Sequence, residues 1–180
     1  ARAYGGPESD TAYLAKVTAD GGFIISGDTD SFGAGEGDAW LFKIDGSGSI
    51  VWQKTFGTAG GDIGMLESTS DGGFILGIWT SSQGGGGNPF TLVKLTEAGA
   101  ISWQKSYGTA DDTFSAVEVI TGGYLLLATR ADYQTQQFTD ILVKLDTNGN
   151  IVWQRSHASG ALHSGFGQQL SDGSFIVSGT

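Results

Sequence analysis

Three short blocks of residues recur in fixed order along this chain, and no other feature restricts its fold so strongly. Asp20-Gly21-Gly22-Phe23-Ile24-Ile25 returns as Asp71-Gly72-Gly73-Phe74-Ile75-Leu76, as Thr121-Gly122-Gly123-Tyr124-Leu125-Leu126 and as Asp172-Gly173-Ser174-Phe175-Ile176-Val177. A second block reads Leu41-Phe42-Lys43-Ile44-Asp45, then Leu92-Val93-Lys94-Leu95-Thr96, then Leu142-Val143-Lys144-Leu145-Asp146. The third reads Ile50-Val51-Trp52-Gln53-Lys54, then Ile101-Ser102-Trp103-Gln104-Lys105, then Ile151-Val152-Trp153-Gln154-Arg155, with its tryptophans 51 and 50 residues apart. The periods fall at about 11–57, 62–108 and 112–157, with a partial one at 163–180.

Each period holds four candidate strands, which in the first are 12–18, 23–27, 39–44 and 50–56. Asp-Gly-Gly between the first two reads as a tight primed hairpin, since glycine supplies positive φ. Asp45-Gly46-Ser47-Gly48-Ser49 and Asp146-Thr147-Asn148-Gly149-Asn150 read as further turns. No apolar pattern of helical period occurs. The second strand is nearly all apolar, so both of its faces should be covered. The fourth alternates, with Ile50, Trp52, Lys54 and Phe56 on one side. A four-stranded antiparallel unit whose middle is covered twice needs a similar unit on each side. Sheets stacked about an axis supply that, so the expected fold is an all-β β-propeller of about three and a half four-stranded blades. Trp52, Trp103 and Trp153 would be the wedges between blades.

The Ser70-Asp71-Gly72-Gly73-Phe74-Ile75 pattern resembles one found in tandem repeats of secreted and cell-surface proteins of bacteria and archaea. So does the run from Leu142 to Gln154, with an aromatic-Gly pair such as Tyr107-Gly108 following its counterpart. These repeats are treated as β-propeller-like and are distantly similar to PQQ-type propellers. The resemblance implies an extracellular or cell-surface location. The third period departs from it, with His157-Ala158 in place of Tyr4-Gly5, Phe56-Gly57 or Tyr107-Gly108.

Composition narrows the function. A net charge of -10 repels nucleic acid and anionic lipid. There is no cysteine for disulfides or thiolate metal sites. No apolar run is long enough for a membrane-spanning helix. The chain opens at Ala1 and both of its ends fall inside a repeat, as an excised or processed piece would. It is therefore expected to belong to a longer ring, to associate with copies of itself, or to pack its units in some other way.

Alternating strand direction puts the second-to-third loops on one face. They run over 28–38, 81–89 and 131–138 and differ in length and chemistry, which makes that face the expected binding surface. Asp28, Asp30, Glu36 and Asp38 are candidate calcium ligands, although their spacing is not that of an EF-hand. Lys43, Lys94 and Lys144 recur inside a strand, so they read as structural, with packed stems and paired or solvated heads. Gln53, Gln104 and Gln154 read likewise. His157 occupies an aromatic slot, and neither it nor His163 makes a metal or general-base pattern. Lys16, Glu67, Val117 and Gln168 would line the axis without a consistent charge. No nucleophile elbow or phosphate loop is present. No catalytic residue or organic cofactor is assigned. The expectation is a non-enzymatic extracellular scaffold or binding module for protein or glycan. A self-assembling filament or surface-layer protein and a fragment of a PQQ-like enzyme are the alternatives.

Overall fold

The computed structural model describes residues 1–34, 37–57, 62–80, 90–109, 112–132, 134–135, 137–159 and 164–179, all strand, turn or coil. The strands are β1 (Asp10–Val17), β2 (Phe23–Thr29), β3 (Asp38–Ile44), β4 (Ile50–Phe56), β5 (Asp62–Ser68), β6 (Phe74–Thr80), β7 (Phe90–Leu95), β8 (Ile101–Tyr107), β9 (Asp112–Ile120), β10 (Gly123–Asp132), β11 (Gln137–Leu145), β12 (Ile151–Ser159), β13 (Ser164–Gln169) and β14 (Phe175–Gly179). They form three four-stranded antiparallel sheets, each in sequence order, and the hairpin β13–β14. The chain divides into two compact units, residues 1–106 and 107–180.

In the first unit, Ile24, Ala39 and Leu41 of the first sheet form one core with Leu66, Phe74, Leu76, Ile78, Val93 and Leu95 of the second, and Trp52 and Phe56 pack against it. Register explains the choice of residues. Ile24 opposes Lys43, which opposes Trp52, so these three share a face of the first sheet. The other face carries Ile25, Trp40, Phe42 and Ile44, against which Tyr4 and Phe32 pack. In the second unit, Ala116, Ile120, Leu125 and Leu127 form a core with Leu142, Trp153 and Phe175, joining the third sheet to the hairpin β13–β14.

The middle strands are covered twice with one exception. Phe74 and Tyr124 are buried, but Phe23 is 40% exposed. The cause is the neighbour. Trp52 lies over Phe74 with ring centroids 6.1 Å apart, and Trp153 over Phe175 at 5.7 Å, whereas Phe23 has no such tryptophan above it among the described residues. The alternation expected of the fourth strand also fails at its start. A bulge displaces the register at Ile50–Trp52 and again at Ile151–Trp153, leaving Ile50, Val51, Ile151 and Val152 exposed. An extra residue on an edge strand bends it and discourages edge-to-edge pairing.

The Asp-Gly-Gly hairpins are not primed two-residue turns. The Thr18 N–H donates to the Gly22 carbonyl at 2.9 Å and the Gly21 N–H to the Thr18 carbonyl at 3.0 Å, with Gly21 at φ 79°. This is a three-residue loop whose last member is left-handed, so the glycine is needed one place earlier than a primed turn would put it. The same pattern closes 69–73 and the turns at 45–49, 96–100, 146–150 and 170–174. The third sheet differs: Gly123 pairs with Ile120, leaving a two-residue loop of Thr121 and Gly122.

Two tyrosines in one repeat position latch onto such turns. The Tyr4 hydroxyl donates to the Gly48 carbonyl and the Tyr107 hydroxyl to the Gly149 carbonyl, each at 2.7 Å. Burial pushes the Tyr107 phenol well up from its usual range, with the Asp146 and Tyr124 charges adding to the shift. Tyr107→Phe is expected to destabilise the second unit by about 1 kcal/mol in urea titrations, the net worth of one buried hydrogen bond.

Candidate functional site

The loop joining β2 to β3 is held by backbone and hydroxyl donors that converge on a few carboxylates. Asp10 opposes Thr29 at the open end of the first sheet. Its carboxylate accepts the Gly6 N–H at 2.7 Å and the Ser31 hydroxyl at 2.8 Å, and the Thr29 hydroxyl donates to it as well. Burial works against the ionised form of Asp10, but the donors from Thr29, Gly6 and Ser31 together hold its pKa below the usual carboxylate value. Thr29 Oγ1 in turn accepts the N–H groups of Ser31 and Phe32 at 3.0 and 3.2 Å. Phe32 tilts onto Trp40 with centroids 5.7 Å apart. These bonds order residues 29–32 against Asp10 and Trp40.

The candidate calcium ligands are distributed along this loop. Asp30 accepts the Gly37 N–H at 2.7 Å, and buried Asp38 accepts the Ala34 N–H at 2.6 Å. Asp28 accepts from Tyr13, whose pKa rises first through that bond and then through burial and the Asp28 charge. Glu36 lies outside the described residues. Among those described, no three acidic or imidazole side chains gather as a metal site.

The corresponding loop of the third sheet is built differently. Asp132 accepts the N–H groups of Gln134 and Thr135 at 2.9 and 3.1 Å. The Thr135 side chain, followed by these backbone bonds, lowers its pKa. Arg130 grips buried Asp112 with two bonds of 2.7 and 2.9 Å. Burial opposes ionisation of Asp112, and the Arg130 and Thr109 donors outweigh it. The expected loop at 81–89 falls outside the described residues. The described parts of these two loops thus differ in chemistry.

The chain matches no known protein family and no curated protein. What it can do rests on its own geometry.

Trp52 is a wedge whose indole N–H donates to the Glu97 carbonyl at 3.1 Å. Trp153 packs edge-on against Phe175, and Trp103 is half-buried. Lys43 and Lys94 are only 3% and 5% exposed. Lys43 pairs with Asp20, and Lys94 with Asp71 at 2.9 Å. Lys144 is less buried, and threonine stands at 121 where the aspartate would be. Among the described residues it has no carboxylate partner. These pairs escaped the sequence reading, yet a signal was present: Asp and Lys are 23 residues apart in both periods, and the third loses the aspartate. The packing role given to His157 is corrected, because its ring is exposed on the edge strand β12 opposite Asp140. His163 lies outside the described residues. Lys16 and Glu67, read as axial positions without a consistent charge, form an ion pair within the first unit.

Proposed function

We propose that the sheets are blades of a β-propeller and that this is a non-enzymatic extracellular repeat module, binding protein or glycan through its second-to-third loops. The observation that carries the reading is the repeated wedge. Trp52 against Phe74 joins the first two four-stranded sheets, and Trp153, at the same position of the repeat, packs against Phe175 of the hairpin β13–β14. Such a joint, repeated, turns sheets about a common axis. Bacterial and archaeal secreted repeats of this pattern are the resemblance that supports the location. Sheets carrying loops of differing chemistry suit recognition.

The test is a glycan and surface-protein array probed with the chain, with and without calcium. Saturable binding is expected, and it should vanish when 30–37 is replaced by glycine and serine while the far-UV spectrum stays that of a β protein. A chain that binds nothing in either condition, or binds equally after the replacement, would count against the reading.

Self-assembly is the second reading. It is favoured by Val17, Phe23 and Val51, which leave apolar surface exposed on the first sheet. A mass that climbs with concentration in light scattering would support it, and a steady monomer would remove it.

A further inference from the structure

A cavity of about 230 Å³ opens on one face of the third sheet, and all the residues lining it belong to the second unit. Tyr107, Phe114, Ile141, Val143 and Ile151 give it apolar walls. Ile141 and Val143 stand two places apart on β11, and Phe114 and Ile141 both oppose Ala128, so these side chains share that face. Arg130 and Gln154 supply a polar side.

The repeat explains why the space is here. Aligning Leu142-Val143-Lys144 with Leu41-Phe42-Lys43 sets Ile141 at the place of Trp40 and Val143 at that of Phe42. In the first sheet those two rings stack with centroids 4.1 Å apart, and Tyr4 tilts onto Phe42 at 5.5 Å. Tyr107 keeps the place of Tyr4 and the same bond to a turn carbonyl. Two branched aliphatic chains therefore stand where the first sheet has two rings, and the volume they leave is the cavity. The polar side differs as well. Asp112 opposes Arg130 as Asp10 opposes Thr29, so an arginine replaces a threonine at this edge. The Asp112 side chain is 2% exposed and holds the Arg130 guanidinium by Nε and Nη2. Thr109 steadies that carboxylate with its N–H at 2.8 Å and its hydroxyl at 3.1 Å. The guanidinium is thereby fixed in direction, and its charge is balanced.

We propose that this cavity binds a single neutral sugar residue of the 6-deoxyhexose class. Its volume is below the roughly 300 Å³ at which pockets for drug-sized ligands begin, which suits one ring. Asp112 already neutralises Arg130 and the chain carries a net charge of -10, so an anion gains little here. A hydroxylated neutral ring gains more. Its hydroxyl oxygens accept from the Arg130 fork, and the Gln154 amide both donates and accepts. The ring's methyl group lies on Ile141 and Val143. A hydroxymethyl group there would bury its hydroxyl among apolar atoms, at a cost. The site uses no residue of 30–37, so it stands or falls separately from the loop binding proposed above.

The test titrates the full chain, isotopically labelled, with the methyl glycosides of L-fucose and L-rhamnose. Their counterparts with a 6-hydroxyl, the L-galactoside and L-mannoside, and isobutyrate as an anionic probe complete the set. Saturable shifts at the Arg130 Nε–H and the Gln154 amide are expected with at least one deoxyhexoside, about tenfold stronger than with its 6-hydroxyl counterpart. Val143→Phe, which places the first sheet's ring in the cavity, should abolish them in a chain that still unfolds cooperatively. Arg130→Lys keeps a charge for Asp112 but loses the fixed fork, and should weaken binding about tenfold. Replacing 30–37 with glycine and serine should leave the titration unchanged, so failure of the array experiment and failure here are distinguishable. The proposal is overturned if neither deoxyhexoside gives saturable shifts, if the 6-hydroxyl sugars or isobutyrate bind as well, or if folded Val143→Phe or Arg130→Lys binds like the native chain.

Discussion

Trp52→Ala is expected to lower the unfolding free energy of the first unit by about 3 kcal/mol, read from urea titrations at neutral pH. Removing a buried tryptophan or phenylalanine costs about 3–5 kcal/mol, and Trp52 belongs near the lower end because it is only partly buried. The ring packs over Phe74 and against the core that joins the first two sheets. Its loss leaves a void there, and the Glu97 carbonyl loses its donor. Trp52→Phe separates the two contributions and should cost about 1–2 kcal/mol through the lost hydrogen bond and the smaller ring. The opposite wall offers a further check. A Cβ on Gly99 would come within 2.8 Å of the Trp52 ring, and its φ of 79° already disfavours other residues. Gly99→Val should therefore approach the alanine variant in severity, through strain and displacement of the ring rather than through a void. If Trp52→Ala and a surface variant such as Ser102→Ala unfold within about 0.5 kcal/mol of each other, the wedge carries no stability and the blade reading loses its support.

The packing of Trp52 against the neighbouring sheet could be anticipated from the sequence. A tryptophan recurring at one place in a unit with a doubly covered second strand has few places to go, and strand periodicity assigns it a face. The strand positions followed from the same repeat, with β2, β3 and β4 within two residues of expectation at each end. Other features were hidden for physical reasons. Periodicity tells which side of a strand a residue faces and nothing of what lies opposite, so the exposure of Phe23 could not be read from a block that buries Phe74. A bulge adds one residue without changing residue type, and Ile50-Val51 reads as ordinary strand. Turn class depends on φ at a single glycine, and Asp-Gly-Gly suits either geometry. In the candidate site, the identity of the loops was visible from their variation. Their internal order was not, because it depends on Asp10, which lies 19 residues from Thr29 and 21 from Ser31.

Asp71→Asn is expected to destabilise the first unit by about 1–2 kcal/mol at pH 7, with the addition of Lys94→Met recovering most of the loss. Removing one partner of a fully buried ion pair costs about 3–5 kcal/mol, since it strands the other charge. The smaller figure applies because the Asp71 side chain is 64% exposed and screened by water, although Lys94 is almost wholly enclosed. Lys94 Nζ keeps one other acceptor, the Leu95 carbonyl at 3.0 Å, which cannot neutralise it. A methionine fills the same channel without a charge, so the double variant tests whether the stranded ammonium is the cause. Acid should reproduce the single variant. The Asp71 pKa is lowered to about 2, first by the Thr69 hydroxyl, against the opposing effect of burial, and then by Lys94 and the Gly73 N–H. A carboxyl whose folded pKa lies below its unfolded value stabilises fully above the unfolded value and loses that contribution as pH falls toward the folded one. The gap between native chain and Asp71→Asn should therefore be widest above about pH 5 and close by about pH 2. Asp20 is shifted in the same direction, led by its bond from Lys43, so the first sheet should weaken across the same window. The third sheet carries Thr121 in place of the aspartate, so its Lys144 has no such contribution to lose. A gap that stays constant from pH 7 to pH 2, or a double variant no more stable than Asp71→Asn, would show that the aspartate acts only by shaping its turn.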